Sequence, residues 1–246
     1  MKKILFWPYQ LYEWLILMPL VGILTLLFGT LTAISASLVN PHFASRVFGA
    51  TWARLIGWLT PITVTVEGKL NANRERSYVV VSNHQSLYDI IVIYGWLALD
   101  LKWVMKKELR KVPGIGIGCE KAGHIFIDRK NPRLASKLVS EALNRLGDGI
   151  GILFFPEGTR SPDGKLIPFK KGAFRIAIEQ ELPVLPVTLL GTRDILPPST
   201  LKAFPGRASM VIHPAIETDG LGPAQIDDLM DATKAAISSA LPEELK

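Results

Sequence analysis

The stretch Tyr78-Val79-Val80-Val81-Ser82-Asn83-His84-Gln85-Ser86-Leu87-Tyr88-Asp89 decides the reading of the fold. Its first four residues are aromatic or β-branched, and they stop abruptly at a polar cluster. That predicts a short strand over Tyr78–Val81 running into a loop. The apolar series Leu87–Leu97 that follows predicts a helix. Strand, polar loop and helix in this order form the first half of a β-α unit. In such units the carboxyl end of the strand is where loop residues are presented to ligands.

Outward from this stretch the same alternation continues. Thr63–Val66, Lys102–Met105, His124–Ile127, Ile150–Phe155, Val184–Leu190 and Ala208–His213 have strand composition. Pro132–Leu146 carries Leu134, Leu138 and Leu146 among polar residues and reads as a helix opened by its proline. Lys171–Glu179 and Gln225–Ala240 are further helices. The pattern predicts an α/β fold, a mostly parallel or mixed sheet flanked by helices, over residues 61–246. There is no internal repeat, low-complexity tract or interdomain linker.

Residues 1–60 read differently, as an N-terminal membrane-embedded helical segment. From Trp14 to Val39 no residue is charged, a run longer than the ~20 residues that cross a bilayer as a helix. Pro8, Pro19, Gly22 and Gly29 leave a single straight helix unassured, and Asn40-Pro41 reads as a turn. A secretory leader would also begin with Lys2 and Lys3 and offer small residues at Ala33–Ala36. The apolar run exceeds the ~7–15 residues of a leader core, and Glu13 interrupts its approach, so a retained anchor is the better reading. Phe43–Leu59 mixes Phe48, Trp52 and Trp58 with Arg46 and Arg54. Two readings remain open for it: an amphipathic helix at the interface, or a helix packed on the domain core.

Composition narrows the function. Hydrophobic residues make up 48% of the 246, and the formal net charge is +6. A basic chain suits nucleic acid, an anionic membrane surface or anionic substrates. No nucleic-acid motif or dense basic run is present, so lipid headgroups and anionic substrates are favoured and nucleic acid is set aside. Cys119 is the one cysteine. No disulfide forms within the chain, and a reducing, cytosolic side is expected.

Two clusters carry chemistry. His84 and Asp89 are five apart and would diverge by about 140° on one continuous helix. They meet if His84 lies in the loop and Asp89 in the first turn of the helix, with Ser86 capping it. Asp89 would then fix the imidazole tautomer and leave the second nitrogen to take a proton. The plainer alternative is a surface His and a helix-start Asp. The second cluster, Phe154-Phe155-Pro156-Glu157-Gly158-Thr159-Arg160, again ends a strand. Gly158 permits close backbone approach, and Arg160 offers a planar fork suited to phosphate. By itself it is better read as a tight turn with a surface Arg.

Together the clusters resemble the glycerophospholipid acyltransferase family, and within it the bacterial 1-acyl-sn-glycerol-3-phosphate acyltransferases. Four blocks appear in order over about half of the chain: Asn83-His84 with Asp89; Gly123-His124-Ile125-Phe126-Ile127-Asp128-Arg129; Phe155-Pro156-Glu157-Gly158-Thr159-Arg160-Ser161; and Leu182-Pro183-Val184-Leu185-Pro186-Val187. The resemblance implies that His84 is a general base oriented by Asp89. It would activate the sn-2 hydroxyl of lysophosphatidic acid for attack on an acyl thioester, without an acyl-enzyme, giving phosphatidic acid. Arg129, Glu157, Gly158, Thr159 and Arg160 would bind the acceptor's glycerol phosphate. Lys106 or Lys107, and Lys170 or Lys171, are added as candidates because an anionic substrate attracts such side chains. The donor would be acyl-coenzyme A or acyl-carrier protein, with no other cofactor, and the enzyme would sit on the cytosolic face of the cytoplasmic membrane.

Alternatives within the class are another lysophospholipid, a lyso-ornithine lipid, or a transacylase reaction. Outside it stands a non-catalytic membrane-binding module that keeps the fold. No metal is expected, since no His, Cys or carboxylate pair has ligand spacing. Gly114, Gly116 and Gly118 follow Pro113 rather than a strand, so a dinucleotide loop is not supported. In the family this stretch is expected to line the acyl groove. His124 reads as structural or orienting, and His42 and His213 lie beside prolines with no evident partner.

Overall fold

The structure, a computed structural model, describes residues 6–128 and 132–246. Seven strands form one sheet: β1 (Ile62–Glu67), β2 (Tyr78–Ser82), β3 (Asp100–Lys106), β4 (Ile125–Ile127), β5 (Ile150–Phe154), β6 (Val184–Leu190) and β7 (Gly206–Ile212). The order across the sheet is β1-β7-β6-β2-β5-β3-β4. Neighbours are parallel except β6 and β7, which are antiparallel. The sheet is therefore mixed, within the expectation from sequence.

The helices are α1 (Phe6–Tyr12), α2 (Met18–Leu38), α3 (Pro41–Ala44), α4 (Ala50–Leu59), α5 (Tyr88–Trp96), α6 (Ile115–Lys121), α7 (Pro132–Leu146), α8 (Gly172–Glu179), α9 (Thr192–Ile195) and α10 (Ile226–Ser239). Side chains alternate across β2, which separates two cores. Val80 faces α4 and α5 with Ile56, Ile91, Val92 and Leu153. Val79 and Val81 face α8 and α10 with Phe174, Ile178, Leu229 and Ile237. The chain leaves β2 through α5 toward β3, and leaves β5 through α8 toward β6, on the other side of β2. Connections that depart in opposite directions open a crevice at the carboxyl ends of β2 and β5. His84 and Glu157 follow those two ends.

The N-terminal helices pack on this frame. A π-helical turn, Glu13–Leu17, joins α1 to α2 just before Pro19. Pro19 has no N–H and its ring collides with the carbonyl four residues back, so the wider turn absorbs the misfit and the helix runs on. Trp7–Leu38 thus forms one apolar helix of 32 residues, about 48 Å long at 1.5 Å per residue. Only 11% of its most apolar window is buried. Asn40 ends it and caps α3, its Oδ1 accepting the His42 N–H at 2.7 Å. In α4, Ala53 and Ile56 are buried against α5 while Trp58 stays exposed, as do Phe43 and Val47 ahead of it. The Phe43–Leu59 segment is thus both core-packed and outwardly apolar.

Candidate active site

Asn83 turns the chain at the end of β2. Its side chain imitates a strand, accepting the Leu189 N–H at 2.8 Å and donating to the Leu189 carbonyl at 3.0 Å. His84 and Gln85 then lie in the loop, and Asp89 sits in the first turn of α5. Asp89 is buried. Its Oδ2 lies 2.8 Å from His84 Nδ1 and accepts the N–H groups of Gln85 at 2.7 Å and Ser86 at 2.8 Å. The Ser86 hydroxyl accepts the Tyr88 N–H at 3.0 Å, but Leu87, not the expected Ser86, holds the N-cap position of α5. An ionised carboxylate only accepts, so Nδ1 of His84 carries the proton and Nε2 is the free acceptor. The imidazole stacks on Phe155, with centroids 4.0 Å apart.

Sequence reasoning missed Thr192, whose hydroxyl donates to Asp89 Oδ1. It follows β6 directly after Gly191, which has a φ of 79°. The available signal was a polar residue just beyond a buried strand, behind a glycine that turns the chain toward the site.

The Phe155–Ser161 loop is locked to the His84 loop. Glu157 is buried, and its Oε1 accepts the His84 N–H at 2.7 Å. The His84 carbonyl in turn accepts the Ser161 N–H at 2.8 Å. Burial pushes the Glu157 carboxyl up to about 7 against the pull of the His84 and Ile167 N–H groups, with nearby Asp89 adding to the rise. This carboxylate is thus turned onto backbone rather than outward. Gly158 has a φ of 73°, and a Cβ there would meet Lys170 Nζ at 2.5 Å, so Lys170 lies across the Glu157–Gly158 turn. Thr159 is exposed and Arg160 half-buried. Arg160 has no ion pair among the described residues. Lys106 lies on the groove wall and approaches Glu108 at 3.7 Å. Lys107 pairs with Asp128, and Lys171 with Asp227. Arg129 lies outside the described residues.

His84 borders an apolar groove of about 570 Å³. α2 contributes Val21, Thr25, Phe28 and Gly29, and α4 contributes Trp52 and Ile56. Gly114, Ile115 and Gly118 form another wall, so the glycine run does line a groove. The reason is backbone contact: a Cβ on Gly29 would sit 2.0 Å from the Gly114 carbonyl oxygen.

Two groups in this groove are chemically quiet. Burial raises the Cys119 thiol to about 12, so it is protonated and a poor nucleophile. Burial and Lys102 hold His124 down to about 3. Its Nδ1 accepts the Trp103 N–H at 3.0 Å, which leaves Nε2 protonated toward Tyr94 Oη at 3.3 Å. His124 is thus a neutral, structural side chain. The partners that sequence did not reveal for the other histidines are Asp100 for His42, at 2.5 Å, and Thr188 for His213, at 2.8 Å.

An acyltransferase family model matches residues 63–190. The 1-acyl-sn-glycerol-3-phosphate acyltransferase of Chlamydomonas reinhardtii is 36% identical over 74% of this chain and 54% of its own length. The alpha form from Ovis aries is 33% identical over 76% of this chain and 66% of its own length. The chain thus spans about half to two thirds of these relatives. The Pseudomonas aeruginosa 1-acyl-sn-glycerol-3-phosphate acyltransferase is 31% identical over 87% of this chain and 84% of its own length. Among solved structures, the 1-acyl-sn-glycerophosphate (LPA) acyltransferase PlsC from Thermotoga maritima superposes with a TM-score of 0.76. It is 28% identical and 97% of each chain is covered.

Proposed function

Because the chain belongs to the acyltransferase family, we propose that it moves a fatty acyl group from acyl-coenzyme A or acyl-carrier protein to the sn-2 hydroxyl of lysophosphatidic acid. The observation that carries this reading is the His84–Asp89 pair, at 2.8 Å, presented at the edge of an apolar groove. His84 Nε2 takes the proton of the acceptor hydroxyl as its oxygen attacks the thioester carbonyl. The tetrahedral intermediate collapses, the carbon–sulfur bond breaks, and the thiolate leaves with the proton returned by the imidazolium. No acyl-enzyme is needed. General-base action of this kind contributes ~10²–10⁴-fold, and positioning supplies the remainder.

Arg160, Lys106 and Lys170 hold the acceptor's phosphate, with Arg129 and the backbone of Gly158 and Thr159 alongside. Glu157 contributes by fixing the His84 loop. The acyl chain occupies the groove. Residues 1–60 form the anchor and residues 61–246 the catalytic portion, on the cytosolic face of the cytoplasmic membrane. The exposed apolar face of Trp7–Leu38 supports the membrane reading.

The test is thiol release from a long-chain acyl-coenzyme A by detergent-solubilised wild type and His84→Ala. It is run with and without lysophosphatidic acid, beside a panel of other lysolipids. Release that needs both lysophosphatidic acid and His84 supports the proposal. Near wild-type turnover by His84→Ala would remove the general-base role. Release with another lysolipid alone would move the acceptor assignment. If no acceptor works, acyl-carrier protein is the next donor, and failure with both donors would favour a binding module.

A further inference from the structure

A second groove, of about 500 Å³, opens at the opposite end of α5 from His84, bordered by Ala98 and Leu99. Its chemistry differs from that of the first. Arg46 reaches it from the π-helical turn Ser45–Gly49, Arg54 from α4, Arg74 from the connection between β1 and β2, and His42 from α3. Arg46 and Arg74 are exposed and form no ion pair among the described residues. Arg54 donates its Nε to the Gly95 carbonyl at 2.7 Å, which orients its guanidinium. The carboxylate behind His42, Asp100, is buried and already shared with Lys102 at 2.9 Å.

Three guanidiniums around one space repel each other unless an anion joins them, and their planar forks match phosphate oxygens. The rim is apolar. Phe43 is 48% exposed and Val47 40%, and they continue from Leu38 and Val39, which are 79% and 70% exposed. A free phosphate ion has no use for such a rim, whereas an amphiphile does. We propose that this groove is a second, non-catalytic site for the phosphate of an anionic glycerophospholipid. The lipid's acyl chains lie along Leu38, Val39, Phe43 and Val47. The inference rests on the membrane reading above. It adds that the turn between α2 and α3 is held to the leaflet by a defined headgroup contact.

The experiment measures binding of the full chain to two vesicle types: phosphatidylcholine alone, and phosphatidylcholine with phosphatidylglycerol. Wild type is compared with Arg46→Gln/Arg74→Gln and with a charge-matched control, Arg175→Gln/Lys234→Gln, whose residues are exposed on α8 and α10. Thermal melts verify that each folds. Near an anionic surface each cation is worth about fivefold, so the groove pair should lose about 25-fold in binding to the mixed vesicles. It should keep its binding to neutral ones, and the control should lose far less. Equal losses in both pairs would mean diffuse attraction and overturn the site. Competition by millimolar inorganic phosphate that abolishes the difference would assign a free anion and overturn the lipid. Failure of wild type to bind even neutral vesicles would remove the membrane reading itself.

Discussion

Replacing Asp89 by Asn isolates what the carboxylate does, because the amide has almost the same shape. With the amide oxygen at the position of Oδ2, it still accepts from His84 Nδ1 and from the Gln85 and Ser86 N–H groups. The NH₂ then faces the Thr192 hydroxyl, which turns from donor to acceptor. The opposite orientation would set N–H groups against three donors, so the first is fixed. In the proposed mechanism, what is lost is the charge that stabilises the imidazolium as it forms. At the 2.8 Å separation of His84 Nδ1 and Asp89 Oδ2, an effective dielectric of ~20 gives about 6 kcal/mol, or up to ~10⁴ in rate. Four charge-assisted hydrogen bonds become neutral, which costs about 2–3 kcal/mol of stability. For a chain of this size that lowers Tm by roughly 5–10 °C. The assay is thiol release at saturating acyl donor and lysophosphatidic acid, beside a thermal melt. A folded Asp89→Asn within tenfold of wild type would show that Asp89 only staples the loop, and its role in stabilising the His84 imidazolium would have to be abandoned. Thr192→Val provides the graded control. It removes one donor from a buried carboxylate and should cost about 1 kcal/mol, or fivefold in rate.

Two further outcomes follow from groups outside the dyad. Glu157 has its folded-state pKa raised from 4.5 to about 7, so between those values the native state binds more protons than the unfolded chain. Stability then falls as pH rises from about 4.5 to about 7, by roughly 3 kcal/mol at 1.36 per unit, and Glu157→Gln should flatten that slope in denaturation measured at pH 4.5, 6 and 8. A slope unchanged in the variant would place its origin elsewhere. Gly29→Ala would force a methyl to within 2.0 Å of the Gly114 carbonyl, whereas Gly22→Ala meets no atom within 4 Å. The first should lose about 1–3 kcal/mol and several degrees of Tm, and the second should be neutral or slightly stabilising. Equal melts for both would mean that α2 does not pack tightly on the glycine turn.

The elements were legible because their signals are local. The β-branched run Tyr78–Val81 announces β2, and the apolar series after Leu87 announces α5. Strand order was not legible, since nothing inside Gly206–Ile212 says that it runs against β6 and with β1. The meeting of His84 with Asp89 followed from a loop-to-helix spacing of five residues. Thr192 joins the same carboxylate from 103 residues away, and no spacing rule reaches that far. Glu157 was legible as part of a motif but not as a group turned onto the His84 backbone, because motif position carries no side-chain direction. Lys102 illustrates a further limit. In sequence it looks like a solvated charge, yet it is fully buried, held by Asp100 and the Ala122 carbonyl.

The boundary at residue 60 separates two roles in the proposed reading, but it does not separate two packed bodies. Glu13 shows why. It is a buried carboxylate beside an otherwise uncharged run, which is unfavourable unless donors satisfy it. The donors are Gln10 Nε2 at 2.7 Å and the Ala203 N–H. Ala203 belongs to the connection between α9 and β7, and that connection supplies Leu196, Leu201 and Ala203 to the groove. Tyr12 Oη adds a bond to the Leu59 carbonyl at 2.7 Å, and Trp52 Nε1 one to Thr25 at 3.1 Å. The apolar helix is therefore one wall of the cavity that His84 borders. Its outer face is free to meet lipid while its inner face encloses the space proposed for the acyl chain. In the proposed reading an acyl chain enters from the leaflet and passes along a single helix to His84, so that reading predicts that removing the helix unroofs the groove and also abolishes membrane binding.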